Sequence, residues 1–389
     1  MDRNLESAKA LSQCREQCSQ CGSCVSACDL LHDSGLDPGE IAKQLLEGND
    51  SSKLRELIQR CDLCGFCTID CPSALNAGSL FESARSFLVD QDKLPLDGFE
   101  PIFVDRDWNG FSLYRDNFKI NYDELKRDHY DTLFFPGCSL ATYAPELTRA
   151  AHAWLQSQGM ALGFTDLCCG KPLASLGLEC RKDQLQHYLL SKLRAAGASR
   201  IVTVCANCHA SLAGNLEGIE VVSLYKVLRE AGVRVPGTQS LTVHDSCADR
   251  ESGEFAADVR ALLGDHPVLE MEHSGRDTIC CGAGGIVPLV DPDLCLSRTR
   301  TRVEEFDRTG ASGMVTSCMA CSRRLSPLAQ KHQVRHCLEL VFKIQVDYEQ
   351  IARNQKTMWQ AERGELNLER LDNAKAFTPE DRDDRPNIS

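Results

Sequence analysis

The sequence predicts a chain of two fold classes, a small all-α module at the N-terminus followed by an α/β part made of two pseudo-symmetric lobes. Three observations carry this. The first is a doubled cysteine pattern: Cys138, Cys168-Cys169-Gly170 and Cys205-x2-Cys208 recur as Cys247, Cys280-Cys281-Gly282 and Cys318-x2-Cys321, with nearly equal gaps. The second is the alternation of short β-rich runs with helical stretches around each copy, which indicates parallel β-α-β units, and its repetition indicates an internal duplication. The third is that cysteine clusters alternate only with helical segments over residues 1–90.

Residues 1–90 form the first domain. Asp37-Pro38-Gly39-Glu40 opens a helix through Ile41, Leu45 and Leu46; Lys53 to Gln59 places Leu54, Leu57 and Ile58 at helical spacing; Ala77 to Leu88 makes another helix after Pro72. Among them lie Cys18-x2-Cys21-x2-Cys24-x3-Cys28 and Cys61-x2-Cys64-x2-Cys67-x3-Cys71-Pro72. Both match the bacterial ferredoxin run, in which one tight loop wraps three corners of a [4Fe-4S] cube and the fourth thiolate reaches the other cluster. Crossed in this way, Cys18, Cys21, Cys24 and Cys71 would hold one cubane and Cys61, Cys64, Cys67 and Cys28 the other, in an all-α ferredoxin-like domain. Two zinc knuckles or buried structural thiols are the competing explanations, and a third cysteine at this interval weighs against zinc. Cys14 lies outside the pattern and reads as an ordinary thiol.

Residues 91–130 are polar but carry Phe99, Phe103, Trp108, Phe111, Tyr114 and Phe118, so an ordered connecting arm packed along a neighbouring surface is expected. The first lobe is placed at 131–238 and the second at 239–347. Thr132 to Phe135 and Leu241 to Val243 are strands that end just before the first cysteine of each copy. Helices follow at Pro145 to Gln158 and Glu254 to Leu263. A second strand is expected before each Cys-Cys-Gly, then a long helix (Asp183 to Ala196; Pro292 to Arg308), then a strand delivering each C-x2-C (Arg200 to Val204; Gly313 to Thr316). Carboxyl ends of parallel strands share one rim, where open α/β sheets place their sites. Residues 348–389 are a polar C-terminal tail, with Asp381 to Asp384 and Pro386 expected to fray.

The chain has 389 residues, 22 of them cysteine, grouped as metal ligands are and not scattered as in a disulfide framework. Each later copy gathers five thiolates. That is one too many for a tetrahedral zinc site or an ordinary cubane, and points to an iron-sulfur cluster of unusual shape or to one thiol held free for chemistry. A formal net charge of −13 argues against nucleic acid, which calls for a concentrated basic face, and suits docking to a basic protein surface. No apolar run reads as a secretory signal or a membrane span. A reducing cytoplasm is therefore the expected location, with any membrane link made through a partner.

The residues Pro136-Gly137-Cys138, Cys168-Cys169-Gly170-Lys171-Pro172, Cys205-Ala206-Asn207-Cys208, His244-Asp245-Ser246-Cys247, Cys280-Cys281-Gly282-Ala283-Gly284-Gly285 and Cys318-Met319-Ala320-Cys321 carry a family resemblance. The chain resembles the CCG-domain iron-sulfur proteins, most of all the heterodisulfide reductase catalytic subunits in which a two-cluster ferredoxin module is fused to a doubled CCG domain. The likeness runs from Cys18 to about Leu340. It implies two Rossmann-like CCG lobes, each holding a noncubane [4Fe-4S] cluster on its five cysteines, and cleavage of a disulfide substrate between the two. Zinc in one motif stays open as an alternative.

Lys171, His209 and His244 stand beside these cysteines and are candidates to stabilise or protonate a leaving thiolate; hydrogen bonding to a ligand is the alternative role for such a histidine. Cys205-x2-Cys208-His209 also fits a c-type haem attachment site, which its place inside the duplicated motif disfavours. Gly282 to Gly285 lacks the spacing of a nucleotide loop. Cys180, Cys295 and Cys337 read as small buried residues.

The expected function is an oxidoreductase that passes electrons through two cubanes to the two CCG sites and reduces a disulfide. The alternative is an electron-transfer subunit of a flavin-dependent dehydrogenase acting on a hydroxy acid or glycerol 3-phosphate. A zinc-bearing scaffold is a third reading, which colour alone would test. Either redox role needs a partner for input: a flavoprotein, a ferredoxin or a membrane cytochrome.

Overall fold

The computed structural model describes residues 3–69, 71–329 and 333–378. They form two compact units that do not follow chain order. One gathers the described parts of Asp97–Leu173, Glu179–Gly232 and Leu338–Ser389; the other gathers those of Met1–Leu96, Ala174–Leu178 and Val233–Cys337. The molecule is mixed α/β, and all pairing between its named strands is parallel.

In the first of these units, β1 (Thr132–Phe135), β2 (Leu162–Phe164), β3 (Arg200–Thr203) and β4 (Glu220–Ser223) form a sheet in the order β2-β1-β3-β4. Thr132 lies level with Leu162 and Arg200, so Phe134 stands between Phe164 and Val202. All four β1 residues are buried, as a strand covered on both faces requires. The arm contributes the helix Gly110–Asn117. Its cap is reciprocal: the Asn109 side chain accepts from the Phe111 and Ser112 N–H groups while the Ser112 hydroxyl accepts from the Asn109 N–H. The Tyr114 ring lies 4.6 Å from Phe118 at a tilt and 4.9 Å from Tyr143 edge-on, which is how polar sequence comes to lie ordered on a surface.

The stretch after Tyr348 is more structured than its polarity suggests. It folds as helices Tyr348–Thr357 and Ala361–Asp372, which bury Tyr348, Ile351, Met358 and Leu371. Asn354 donates to the Tyr114 hydroxyl at 3.1 Å and Arg370 pairs with Asp116 at 2.7 Å. Asp381 to Asp384 and Pro386 lie outside the described residues.

The other unit joins the N-terminal helices to the later sheet. That sheet is β5 (Leu241–His244), β6 (Gly313–Thr316) and β7 (Gln333–His336), in the order β5-β6-β7. The second strand expected before Cys280 is reduced to a single parallel bridge, Leu241 to Val268. Pro267 beside it has no N–H to extend a ladder. Conversely, β4 and β7 were not anticipated, since each is a short half-polar run that becomes a strand only by pairing with β3 or β6. The helix Pro292–Thr309 starts under the Asp291 side chain, which accepts from the Leu294 N–H, and ends at Gly310 in the left-handed region.

Seven helices occupy the described part of residues 3–96, from Arg3–Gln17 to Ala77–Val89. Asp37, Ser51 and Asn76 cap three of them by accepting from Glu40, Leu54 and Ser79 N–H groups. Leu11, Leu31, Ile41, Leu45, Leu54 and Phe81 form the centre of their core. Arg85, wholly buried, gathers carbonyls left unpaired where helix Ser52–Gln59 ends, donating to Ile58 at 2.9 Å, Gln59 at 3.1 Å and Cys61 at 2.7 Å, and it also donates to the Ser175 carbonyl at 2.6 Å. That bundle of bonds aims the chain into the second cysteine run. Among the described residues no helix is long and apolar enough to cross a membrane.

Candidate metal centres

All 22 cysteines are free thiols, and 18 of them are the ones that the two ferredoxin runs and the two five-cysteine motifs select. In the N-terminal module the loops of both runs repeat one backbone turn. Gln20 and Leu63, each just before the second cysteine, have φ of 54° and 55°, and Gly22 and Gly65, each just after it, have 78° and 71°. A side chain in the left-handed region costs roughly 1–2 kcal/mol, so its recurrence at matching places marks a loop shaped for a task. Cys18, Cys21, Cys24, Cys67 and Cys71 line one small cavity of about 20 Å³. Cys28 lies with the other set, close enough to raise Cys61 and Cys67 electrostatically. Cys67, which the spacing assigns to the other cluster, thus lines the same cavity as Cys18, Cys21, Cys24 and Cys71.

Burial pushes Cys24 and Cys61 up to about 11, and pushes Cys64 and Cys67 up further. A thiolate in these nests therefore requires a bound cation to offset the lost hydration. Soft sulfur donors in sets of four and five suit iron-sulfur groups.

The five cysteines of each later motif meet in three dimensions. Cys138 and Cys168 stand 3.6 Å apart; Cys168, Cys169, Cys208 and Cys205 continue as a chain of thiol hydrogen bonds. The second motif repeats this order, Cys247, Cys280, Cys281, Cys321 and Cys318, with Cys281 and Cys321 at 3.2 Å. Thiol donors aimed at them hold Cys169 and Cys281 well below the ordinary thiol range, while their neighbours Cys168, Cys208, Cys280 and Cys321 are held well above it. A Cβ on Gly137 would sit 3.0 Å from the Cys208 sulfur, which explains a glycine, with φ of 81°, before Cys138.

The three residues proposed for proton chemistry have different surroundings. Lys171 turns its backbone N–H toward the Cys169 sulfur. His209 binds through Nδ1 to the Thr203 hydroxyl at 3.3 Å. His244 is buried beside Cys281 and accepts at Nδ1 from Arg302 Nε at 2.8 Å. Of the cysteines outside the motifs, Cys14, Cys295 and Cys337 are buried, and burial raises them to about 12, 11 and 12. Cys180 is half-exposed, contrary to the buried role expected of it, because it lies off the apolar stripe of helix Glu179–Ala196 that Leu185, Leu189 and Leu193 define.

Four residues escaped the sequence reading. Ser211 hydrogen-bonds to Cys169. Asp62, between Cys61 and Cys64, pairs with Arg298 and faces Cys280. Arg302 holds His244. The 298/302 spacing puts both arginines on one helix face, a signal that pattern alone cannot separate from a solvated stripe.

Within this unit the second ferredoxin run and the second motif touch directly. Arg250 donates to the Cys64 carbonyl at 3.1 Å. A Cβ on Gly284 would meet the Asp62 carbonyl at 2.3 Å, and one on Gly285 the Cys61 carbonyl at 2.7 Å. The glycines after Cys281 are thus contact surfaces for the ferredoxin loop.

Known proteins resemble the chain over these regions. A family model for a 4Fe-4S dicluster domain matches residues 17–76, and one for a cysteine-rich domain matches both 132–213 and 241–326. One component of the dihydromethanophenazine:CoB–CoM heterodisulfide reductase of Methanosarcina acetivorans is 28% identical over 360 residues, covering 80% of this chain and 88% of the relative. A component of the fumarate reductase (CoM/CoB) of Methanothermobacter marburgensis is 25% identical, covering 83% and 71%. The glycolate oxidase iron-sulfur subunit of Escherichia coli is 24% identical, covering 88% and 96%. With a dicluster domain over the paired runs and a cysteine-rich domain over each five-thiol nest, the chain belongs to the CCG-domain iron-sulfur oxidoreductases.

Proposed function

We propose that this protein is the disulfide-cleaving subunit of an iron-sulfur reductase, with four cluster sites. Cys18, Cys21, Cys24 and Cys71 would hold one cubane, and Cys28, Cys61, Cys64 and Cys67 the other. Cys138, Cys168, Cys169, Cys205 and Cys208 would hold one noncubane cluster, and Cys247, Cys280, Cys281, Cys318 and Cys321 its counterpart, in lobes that arose by duplication. When bound, these groups supply single-electron storage and an iron able to take up an extra sulfur ligand. The observation that carries the reading is the pair of five-thiol nests with the same internal order.

The reaction consumes two electrons and two protons per disulfide and releases two thiols. The chain's part is to hold sulfur, to exclude water from the buried nests and to steady the departing thiolate with hydrogen bonds, for which Lys171, His209 and His244 are the candidates. Electrons come from a partner, whether flavoprotein, ferredoxin or membrane cytochrome, and any association with a membrane runs through it. The CoB–CoM heterodisulfide reductase among the relatives makes a mixed disulfide of two small thiols the first substrate to try.

The test is anaerobic. Protein with all four sites filled carries about sixteen iron atoms per chain, and with a reduced viologen it should form two thiols for each disulfide consumed. About eight iron atoms, with no spectral response to disulfide, would refute the proposal. A second reading, a relay for a flavin-dependent hydroxy-acid dehydrogenase, has support from the glycolate oxidase iron-sulfur protein, which this chain matches over 96% of its length. Electron uptake from such a dehydrogenase, with disulfides left intact, would select it.

A further inference from the structure

Helix Pro292–Thr309 buries Arg302 completely. The guanidinium pairs with Glu305, donates to the His273 carbonyl at 2.7 Å, lies 3.5 Å from the Thr278 hydroxyl and donates from Nε to His244 Nδ1 at 2.8 Å. An arginine keeps its protons, so His244 Nδ1 must offer a lone pair. The single proton of the neutral ring therefore sits on Nε2.

The other ring nitrogen faces sulfur. The ligand atoms of His244, Cys281 and Cys321 lie within 4.8 Å of one another, all buried, a grouping that by composition could hold a metal. Arg302 argues otherwise. Ligation through Nε2 would move the ring proton to Nδ1, where it would oppose the Arg302 hydrogen. A protonated Nε2 has no lone pair to give and can only donate.

The copies differ here. His244 is the last residue of β5, and Phe135 is the last residue of β1, each standing three places before the first cysteine of its motif. Cys169 in the first nest receives the Lys171 N–H and the Ser211 hydroxyl in place of an imidazole.

We propose that Arg302 is a positioning residue that locks His244 as an Nε2–H donor to Cys281, giving the second nest an imidazole hydrogen bond where the first nest has the Lys171 N–H and the Ser211 hydroxyl. The inference rests on the reading of the nests as cluster sites. A donor aimed at a ligand sulfur favours the more reduced, more negative state, so the His244 N–H makes the second nest easier to reduce than it would be without it.

The measurement is pulsed paramagnetic resonance and potentiometry on the anaerobic holoprotein. Wild type should show only weak nitrogen coupling at the second nest, together with a proton coupling that vanishes in D2O. His244→Leu should abolish that proton coupling and move one midpoint to a more negative value, whereas His244→Gln, which keeps an N–H near the same place, should restore both. Arg302→Gln should weaken the proton coupling with His244 still present. A directly bound nitrogen, or a His244→Leu protein with unchanged midpoint and coupling, overturns the assignment. The wild-type spectrum decides even where a variant fails to fold. An iron content near eight overturns this inference together with the cluster reading, while full iron with bound nitrogen overturns the inference alone.

Discussion

The carboxylate of Asp62 is buried against the guanidinium of Arg298, joining the second ferredoxin run to the helix that supports the second five-thiol nest. Burial pushes Asp62 up and Arg298 pulls it down, while the nearby Cys280 and Cys64 reinforce the charge on Arg298. The pair gives two metal loops a shared wall inside one unit.

Breaking that pair should be expensive. Asp62→Asn leaves Arg298 without its counter-charge, and loss of one partner of a buried pair costs about 3–5 kcal/mol. The double variant Asp62→Asn/Arg298→Met should recover part of the loss. Urea unfolding of the anaerobic proteins measures this as a double-mutant cycle; strictly additive effects would mean that the two side chains are not coupled.

Alanine at the two Cys-Cys-Gly glycines should act unequally. Gly170 and Gly282 share a left-handed φ, 87° and 88°, but an added Cβ would meet the flexible Lys182 side chain at 2.7 Å in the first case and the Cys295 carbonyl at 2.3 Å in the second. Both changes carry backbone strain of about 1–2 kcal/mol, and Gly282→Ala adds a collision with main chain that only movement relieves. Iron content after purification should fall further for Gly282→Ala than for Gly170→Ala. The reverse order would contradict the packing described.

Cys281 and Cys295 offer a matched comparison of a nest thiol with a structural one. Cys295 donates to the Gly282 carbonyl at 2.7 Å and belongs to no thiol chain. Cys295→Ala should cost about 1 kcal/mol, the net value of one hydrogen bond, and keep its iron. Cys281→Ser should lose one cluster signal. Equal iron in the two proteins would remove Cys281 from the ligand set.

His152 predicts a pH dependence. It lies buried on helix Pro145–Ser157, its ring 6.1 Å from Phe134 and 6.4 Å from Phe164, and burial lowers its proton affinity below the ordinary histidine value. The unfolded chain therefore binds the proton first as pH falls. The stability that neutral His152 permits is complete above about pH 6.5, the ordinary histidine value, and declines below it. Comparing urea midpoints of wild type and His152→Leu at pH 7.5 and 5.5 isolates the effect, since only wild type should lose this share. Parallel losses would assign the acid sensitivity elsewhere.

Local physics made much of the fold readable. The runs Thr132–Phe135 and Gly313–Thr316 were expected as strands and are β1 and β6 to the residue, because short apolar stretches bounded by turn residues have few other uses. Asp37-Pro38 announced a helix start through its cap and its fixed φ. The half-polar β4 and β7 carry no such mark, since an edge strand is defined by the neighbour it pairs with. The helices after Tyr348 hide their buried residues in a polar background.

By itself the sequence determined the cysteine pattern, eight in two ferredoxin-like runs and ten in a duplicated motif, because ligand chemistry favours particular residue types at particular intervals. Tertiary structure alone decided what surrounds those sulfurs. The partners Asp62 and Arg298 lie 236 residues apart and His244 and Arg302 lie 58 apart, and charged side chains that in the sequence look destined for water are, once folded, paired in the interior. A contact made by chain crossing leaves no period or spacing behind, so burial and hydrogen-bond direction, on which the state of His244 depends, had to be seen in three dimensions.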